Sequence, residues 1–234
     1  MLAVQAAAQA AQQARSRPLK PRAKSVAADL VTEADAVAER AAADAIAKHR
    51  PDDAILGEEG TNTQGKARRW LIDGIDGTVA FASGLPTWCS AVALEDDNGT
   101  AVAAVLDAGG ELYTATREHT TNTVRAARPL TQAHVATFFR QDRLVLPGVR
   151  ETAHRLLDAT GLLRHAGPGT LELAWVAAGR LDAWIQPATD PWDWLPGVLL
   201  VIEAGGVARM IRTQVRWYIA GPSTLVDELA RLLR

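Results

Sequence analysis

The residues best suited to chemistry lie in Trp70-Leu71-Ile72-Asp73-Gly74-Ile75-Asp76-Gly77-Thr78. An apolar run ends there in two aspartates three positions apart, each followed by glycine. The pattern reads as a buried strand running into a turn, with two carboxylates at its exit. Strand exits are common ligand sites in α/β proteins, but ordinary turns also concentrate Asp and Gly, so this stretch alone leaves both readings open. Two distant segments hold acids in similar settings, Gly57-Glu58-Glu59-Gly60 and Trp192-Asp193. Glu58, Asp73, Asp76 and Asp193, with no His or Cys alongside, form a hard-oxygen set suited to Mg²⁺ or Mn²⁺ rather than Zn²⁺. Brought together without a cation, they would raise one another's pKa and cost stability. Mg²⁺ held this way usually shares its sphere with phosphate, and a pair of ions can activate water and stabilise a leaving oxygen. Gly77 and Thr78 would then open a short helix through Phe81 whose N–H groups point at the phosphate. Everything depends on Glu58 and Asp193 folding beside Asp73, which spacing does not establish.

The elements that must position these acids follow from pattern. Leu2 to Ala14 reads as an alanine-rich helix that Pro18 and Pro21 end, and Lys20 and Arg22 read as a solvated loop. Thr32 is a good N-cap with Asp35 three residues on, as in a capping box, and Val37, Ala41, Ala45 and Ile46 are expected to share the inward face of the helix. On local evidence Asp35 is structural, a carboxylate in a first helical turn. Ala54-Ile55-Leu56 makes a short strand delivering Glu58 and Glu59, and residues 61–67 read as a flexible loop. Trp88–Leu94 and Thr100–Leu106 form a hairpin about Asp97-Asn98-Gly99, and Glu111–Thr116 extends the meander. Further on, a strand at His134–Phe139, a helix at Val149–Ala159 with Leu156 and Leu157 inward, and a helix opened by Gly167-Pro168-Gly169 are expected. Leu181–Ile185 reads as a strand and Asp190–Ala204 as an apolar helix with Pro196 in its first turn. Two closing strands and a helix from Ser223, with Leu225, Leu229 and Leu232 inward, complete the chain. The mixture is α/β or α+β.

Composition narrows the function. The 234 residues are 48% hydrophobic and 22% charged with a net charge of -2, which gives no electrostatic case for nucleic acid or an anionic membrane. Cys89, the only cysteine, reads as a small buried residue; there is no intrachain disulfide or thiolate cluster to consider. Met1–Gln13 lacks a basic leader and no run is long enough to span a bilayer, so a soluble cytoplasmic protein is expected.

Taken in order, these motifs resemble the inositol monophosphatase family of Mg²⁺-dependent, Li⁺-sensitive phosphatases. The resemblance rests on Val31-Thr32-Glu33-Ala34-Asp35, Gly57-Glu58-Glu59 and Trp70 through Thr78. It continues in Leu173 through Asp182 and in Trp192-Asp193 through Glu203-Ala204-Gly205-Gly206. It runs from about Lys24 to the C-terminus and is weak between residues 107 and 160. It implies a layered αβαβα sandwich of the inositol monophosphatase and fructose-1,6-bisphosphatase type. One domain over residues 1–234 is expected, with a metal-site half at about 1–125 and a second half at about 126–234. It implies two or three Mg²⁺ ions, or Mn²⁺, held by Glu58, Asp73, Asp76, Asp193 and the Ile75 carbonyl. Thr78 would hold the attacking water and pair with Asp35, and the Gly77 and Thr78 amides would contact phosphate. Gly169 and Gln186 would face the substrate, and Lys24 matches a family lysine. A small phosphorylated substrate and a homodimer are likewise implied.

Departures concern specificity more than chemistry. Gly74 replaces the family's proline between the ligands, which would loosen the turn. Gln186 stands where inositol phosphatases have a glutamate, and Gly167-Pro168-Gly169 replaces a Gly-Ser/Thr-Ala run. Gly84 through Trp88 and Pro187 resemble the histidinol-phosphate phosphatase branch; inositol and nucleotide 3′-phosphates remain open. A non-catalytic interaction protein on the same fold is the alternative.

Overall fold

The computed structural model describes residues 1–16, 21–23, 30–66 and 68–234; Lys20 and Lys24 lie outside the described residues. The first half comprises α1 (Leu2–Arg15), β1 (Arg22–Ala23), β2 (Leu30–Val31), α2 (Glu33–His49), β3 (Ala54–Gly57) and β4 (Asn62–Thr63). It continues with β5 (Arg69–Asp76), α3 (Thr78–Ala82), β6 (Cys89–Asp96), β7 (Gly99–Asp107), β8 (Leu112–Thr116) and β9 (His119–Thr120). The second half holds β10 (His134–Ala136), α4 (Gln141–Leu144), α5 (Val149–Ala159), β11 (Leu162–Arg164) and α6 (Gly169–Ala177). After these come β12 (Ala183–Pro187), α7 (Pro191–Glu203), β13 (Val207–Arg212), β14 (Arg216–Gly221) and α8 (Ser223–Arg231).

Seven strands form one sheet in the order β4-β3-β5-β6-β7-β8-β9, and five form another in the order β11-β10-β12-β14-β13. Strand alternation explains the layering. In β6 and β7, Cys89, Ala91, Ala103 and Val105 face a central core shared with α6 and α7, while Val92 and Ala104 face α1 and α2. In the second sheet Trp184, Tyr218 and Ala220 turn to the same central core, and Ala183, Ile185, Trp217 and Ile219 turn to α5 and α8. The centres of both sheets are covered on both faces, which is why β6 and the first part of β12 read as apolar runs. The result is the αβαβα sandwich: α1 and α2, the large sheet, α6 and α7, the small sheet, then α5 and α8. No helix among the described residues is long and apolar enough to cross a membrane.

Several local expectations are corrected. The buried stripe of α2 is Ala34, Ala38, Ala42 and Ile46, and Val37 is 50% exposed. Alanine pairs so closely with the alanines of α1 that the helix turns its methyl stripe, not its valine, inward. Asn62–Thr63 pairs with β3 inside the stretch read as a loop. Leu156 is buried but its neighbour Leu157 is exposed, and just past the last helix Leu233 is buried more deeply than Leu232. Pro196 sits beyond the first turn of α7, at a position that leaves the Trp192 carbonyl without its helical N–H. The poorly readable segment after β9 is tied down by Val124 N–H donating to Ala204 O (3.0 Å) and by Arg128 Nε 3.2 Å from the buried carboxylate of Asp182.

Candidate metal centre

The Asp-x-x-Asp spacing has a structural cause. Side chains three apart on a regular strand point to opposite faces. Against β6, however, Asp73 pairs with Ala91 and Asp76 with Cys89, so three steps on β5 match two on its neighbour. That extra residue is a β-bulge, and it returns Asp76 to the face of Asp73, both toward the central core. Gly74 lies in the bulge, its carbonyl bonded by the buried Ser90 hydroxyl (2.7 Å). A Cβ there would lie 2.5 Å from the Glu39 nitrogen and 3.0 Å from atoms of Ala38. The turn expected to be loose is therefore packed hard against α2.

Glu58 arrives from the neighbouring strand. β3 runs parallel to β5 with Gly57 opposite Ile72, and Glu58 N–H donates to Ile72 O (3.2 Å). Asp193 comes from the opposite layer, in the first turn of α7, which Asp190 and Pro191 begin. Carboxylate oxygens of Glu58, Asp73 and Asp193 lie within 4.8 Å of one another. Asp76 stands beside this trio, with Oδ2 accepting the Thr170 N–H (3.1 Å), while Asp73 Oδ1 accepts the Ile75 N–H (3.0 Å).

Burial, reinforced by the charges of Glu58, Asp76 and Asp193, holds the Asp73 carboxyl well above the usual carboxylate range. Burial followed by Asp76 and Glu58 does the same to Asp193, and burial lifts Asp76 to about 7 against the hydrogen bond from Thr170. A group of buried acids that resist ionising together is one that a divalent cation would relieve. The donors are all oxygen and the trio is compact, so the residues fit Mg²⁺ or Mn²⁺.

Beside the acids lies a hydroxyl held by a carboxylate. Asp35 closes the capping box of α2: its Oδ2 accepts from Thr32 N (2.8 Å) and Thr32 Oγ1 (2.7 Å). Its Oδ1 accepts the Thr78 hydroxyl (2.6 Å), so Asp35 serves the helix and reaches the site at once. Thr78 Oγ1 also lies 3.3 Å from Ile75 O, and Gly77, at φ +96°, turns the chain into α3. A side chain on Gly77 would meet Pro168 Cγ and Thr87 O, each 3.1 Å away, which places the Gly167-Pro168-Gly169 segment directly over the turn. Gln186 faces Gly169 there. Its Oε1 would lie 3.1 Å from a Cβ at that glycine and has no hydrogen-bond partner among the described residues.

Three residues escaped the sequence reading. Thr170 bonds Asp76 through its N–H and the Asp193 carbonyl through its hydroxyl (2.8 Å), joining two of the acid-bearing segments. Glu172, fully buried and with its pKa raised by that burial, accepts from Ala166 N (3.3 Å) and Gly167 N (3.2 Å) and so anchors the segment over Gly77. Glu39, also buried, lies one turn beyond Asp35. Only the Asp-x-x-x-Glu spacing hinted at Glu39, and nothing local marked the other two. Trp88 lies in the core, and half-buried Trp70 donates to Asp53 (2.9 Å).

The inositol monophosphatase family model matches residues 1–231. The chain belongs to the inositol monophosphatase family. It is 36% identical over 190 residues to the inositol-1-monophosphatase of Rhizobium meliloti, covering 76% of this chain and 71% of that protein. It is 35% identical over 189 residues to Nus factor SuhB of Escherichia coli, with the same coverage. Among solved structures it matches the extragenic suppressor protein SuhB of Bartonella henselae with a TM-score of 0.89 at 28% identity, over 99% of this chain and 95% of that one. The Thermotoga maritima IMPase matches with a TM-score of 0.86 at 26% identity, over 99% and 93%. Membership supports phosphatase chemistry, and the acidic cluster lies where the family motifs converge.

Proposed function

We propose that this protein is a Mg²⁺-dependent phosphomonoesterase acting on a small phosphate ester of a polyol, sugar, nucleoside or amino alcohol. The observation that carries the reading is the convergence of Glu58, Asp73 and Asp193, with Asp76 alongside, next to the Asp35–Thr78 hydrogen bond. Glu58, Asp73, Asp76, Asp193 and the Ile75 carbonyl would hold the cations. Bound Mg²⁺ would supply positive charge to the phosphoryl oxygens and make water acidic enough to act as a nucleophile near neutral pH.

The chain's own residues do the rest. Asp35 takes the Thr78 hydroxyl hydrogen, which leaves the Oγ1 lone pairs to accept from the attacking water and fix its direction. The proton leaving that water has a short path through Thr78 Oγ1 to the Asp35 carboxylate. Gly77 and Thr78 amides would receive the phosphate, and a side chain on Gly77 would be strained at φ +96° and crowded by Pro168 and Thr87. Gly169 and Gln186 would form the wall against the alcohol part of the substrate. The unpartnered Gln186 Oε1 suits a hydroxyl or amine donor, without the full charge a glutamate would offer.

Phosphate release measured with Mg²⁺ over a panel of inositol, histidinol, sugar and nucleotide 3′-phosphates tests the reading. Asp73→Asn is expected to abolish release, and equal release by the variant would sink the metal assignment. The SuhB relatives, one of them described as a Nus factor, favour a second reading: a regulatory protein on the same scaffold. Calorimetric titration with Mg²⁺ in the presence of phosphate separates the two, since a purely regulatory protein that has lost the centre would bind no metal.

A further inference from the structure

We propose that Glu39 is a positioning residue for the cation site: its buried carboxylate fixes the turn that presents Glu58. The inference rests on the metal-centre reading above and extends it to a residue that contacts neither cation nor substrate. Glu39 is 2% exposed, an unusual place for a carboxylate unless its oxygens are used. Both are. Oε2 accepts the Glu59 N–H (2.5 Å) and Oε1 accepts the Thr61 N–H (2.8 Å). The carboxylate therefore bridges two amides of the turn after Glu58, those of Glu59 and Thr61, and it lies outside the trio of Glu58, Asp73 and Asp193.

The fit around this carboxylate is close. A Cβ on Gly57 would lie 2.2 Å from the Glu39 carboxyl carbon and 2.4–2.5 Å from its oxygens, so the glycine before Glu58 makes the room that the carboxylate occupies. Gly57 N–H donates to Thr61 O (2.7 Å), which closes the turn from within, and Glu58 N–H is anchored to Ile72 O (3.2 Å) on the neighbouring strand. The backbone nitrogen of Glu39 also lies 2.5 Å from where a Cβ on Gly74 would sit, between Asp73 and Ile75. One residue thus fills the gap at a glycine in each of the two acid-bearing turns. A carboxylate accepting two N–H groups makes charge-assisted bonds that an amide cannot duplicate, because one end of a glutamine would offer hydrogens to a donor.

The test uses the full-length protein and Mg²⁺ alone. Wild type, Glu39→Gln and Glu39→Asp are freed of metal, checked for folding by circular dichroism and thermal unfolding, and titrated by calorimetry. Partners that orient metal ligands typically govern affinity ten- to a hundredfold, so Glu39→Gln is expected to bind Mg²⁺ about tenfold more weakly or worse. Turnover at saturating Mg²⁺ should stay near wild type, since Asp35 and Thr78 are untouched. Glu39→Asp, whose carboxylate is withdrawn by one methylene, should fall between. A residue serving stability alone would lower the metal-free melting temperature and leave the Mg²⁺ affinity of the folded protein unchanged. That result, or failure of both variants to fold, overturns the inference. If wild type binds Mg²⁺ and the folded variants bind it equally, only the role of Glu39 falls. If wild type binds none, the metal-centre reading falls and takes this inference with it.

Discussion

Asp35 offers the sharpest separation of structure from chemistry, because its two oxygens do different work. Oδ2 completes the capping box with Thr32, and Oδ1 holds the Thr78 hydroxyl at 2.6 Å. In Asp35→Asn the remaining carbonyl oxygen can keep the place of Oδ2 and go on accepting from Thr32 N and Oγ1. The amide nitrogen then faces Thr78 and donates to it, which reverses that bond and turns the threonine hydrogen outward, toward the water it should accept from. The opposite orientation would set two donors against each other at the helix start, so the first is favoured. The helix cap therefore survives, and stability should fall by well under the about 1 kcal/mol that a lost N-cap costs. Turnover should fall by roughly 10²–10⁴, the usual contribution of a positioned acid–base group.

Thr32→Ala is the complementary perturbation. It removes the side-chain acceptor for Ala34 N (3.1 Å) but leaves Asp35 bonded to Thr78. A lost N-cap costs about 1 kcal/mol, or roughly 2–4 °C in melting temperature for a chain of this size. Phosphate release at saturating Mg²⁺ and thermal unfolding, measured on both variants, give the comparison. The expected pattern is low activity with near-normal melting for Asp35→Asn and the reverse for Thr32→Ala. If Asp35→Asn keeps nearly full activity and melts like Thr32→Ala, Asp35 is only a cap and the water-orienting argument is wrong.

The acids also set a pH dependence. Asp73, Asp76 and Asp193 bind protons more tightly when folded than unfolded, so the metal-free protein should lose stability as pH rises from about 4 through 7, and Mg²⁺ should reverse the trend. Thermal unfolding across that range with and without Mg²⁺ checks it, and metal-free stability that rises with pH would contradict the assignment. Burial pushes the Glu172 carboxyl well above the usual carboxylate range, so Glu172→Gln should lose less stability than wild type as pH rises, read by thermal unfolding. Gly74→Pro, which restores the residue usual in the family, should destabilise by about 1–3 kcal/mol because its Cβ would strike the backbone of α2 at Glu39; denaturant unfolding that shows a gain would refute the packing account.

The motifs were legible because their chemistry is local: Asp73 to Thr78 carries its turn, glycines and acids within a few residues, and Thr32 and Asp35 announce a helix start. What escaped depends on distant partners. The bulge that turns Asp76 to the face of Asp73 exists only in register with β6, which no property of β5 alone encodes. The inward face of α2 is ambiguous in the sequence because alanines recur at both spacings; the close approach of α1 decides for Ala34, Ala38 and Ala42. Apart from its spacing from Asp35, nothing local in the sequence marks Glu39, since a charged residue on a helix is normally solvated. Its burial follows from two amides twenty and more residues away that need an acceptor. Leu157 failed for a related reason: neighbours on a helix lie 100° apart, and only Leu156 points to the small sheet.

These corrections bear on one another through α2. The alanine stripe lets α2 lie so close to β5 that a side chain on Gly74 would strike its backbone. A proline between the two aspartates would stiffen that turn through its own ring; here the turn is stiffened from outside, by Ala38 and Glu39. The same helix sends Asp35 to Thr78 and Glu39 to the amides beyond Glu58, so the Thr78 hydroxyl, the bulged aspartates and Glu58 all depend on how α2 docks. The geometry of the proposed ligands is therefore coupled to helix packing. A substitution in α2 that widens its approach, such as Ala38→Val, should loosen cation binding although it touches no ligand.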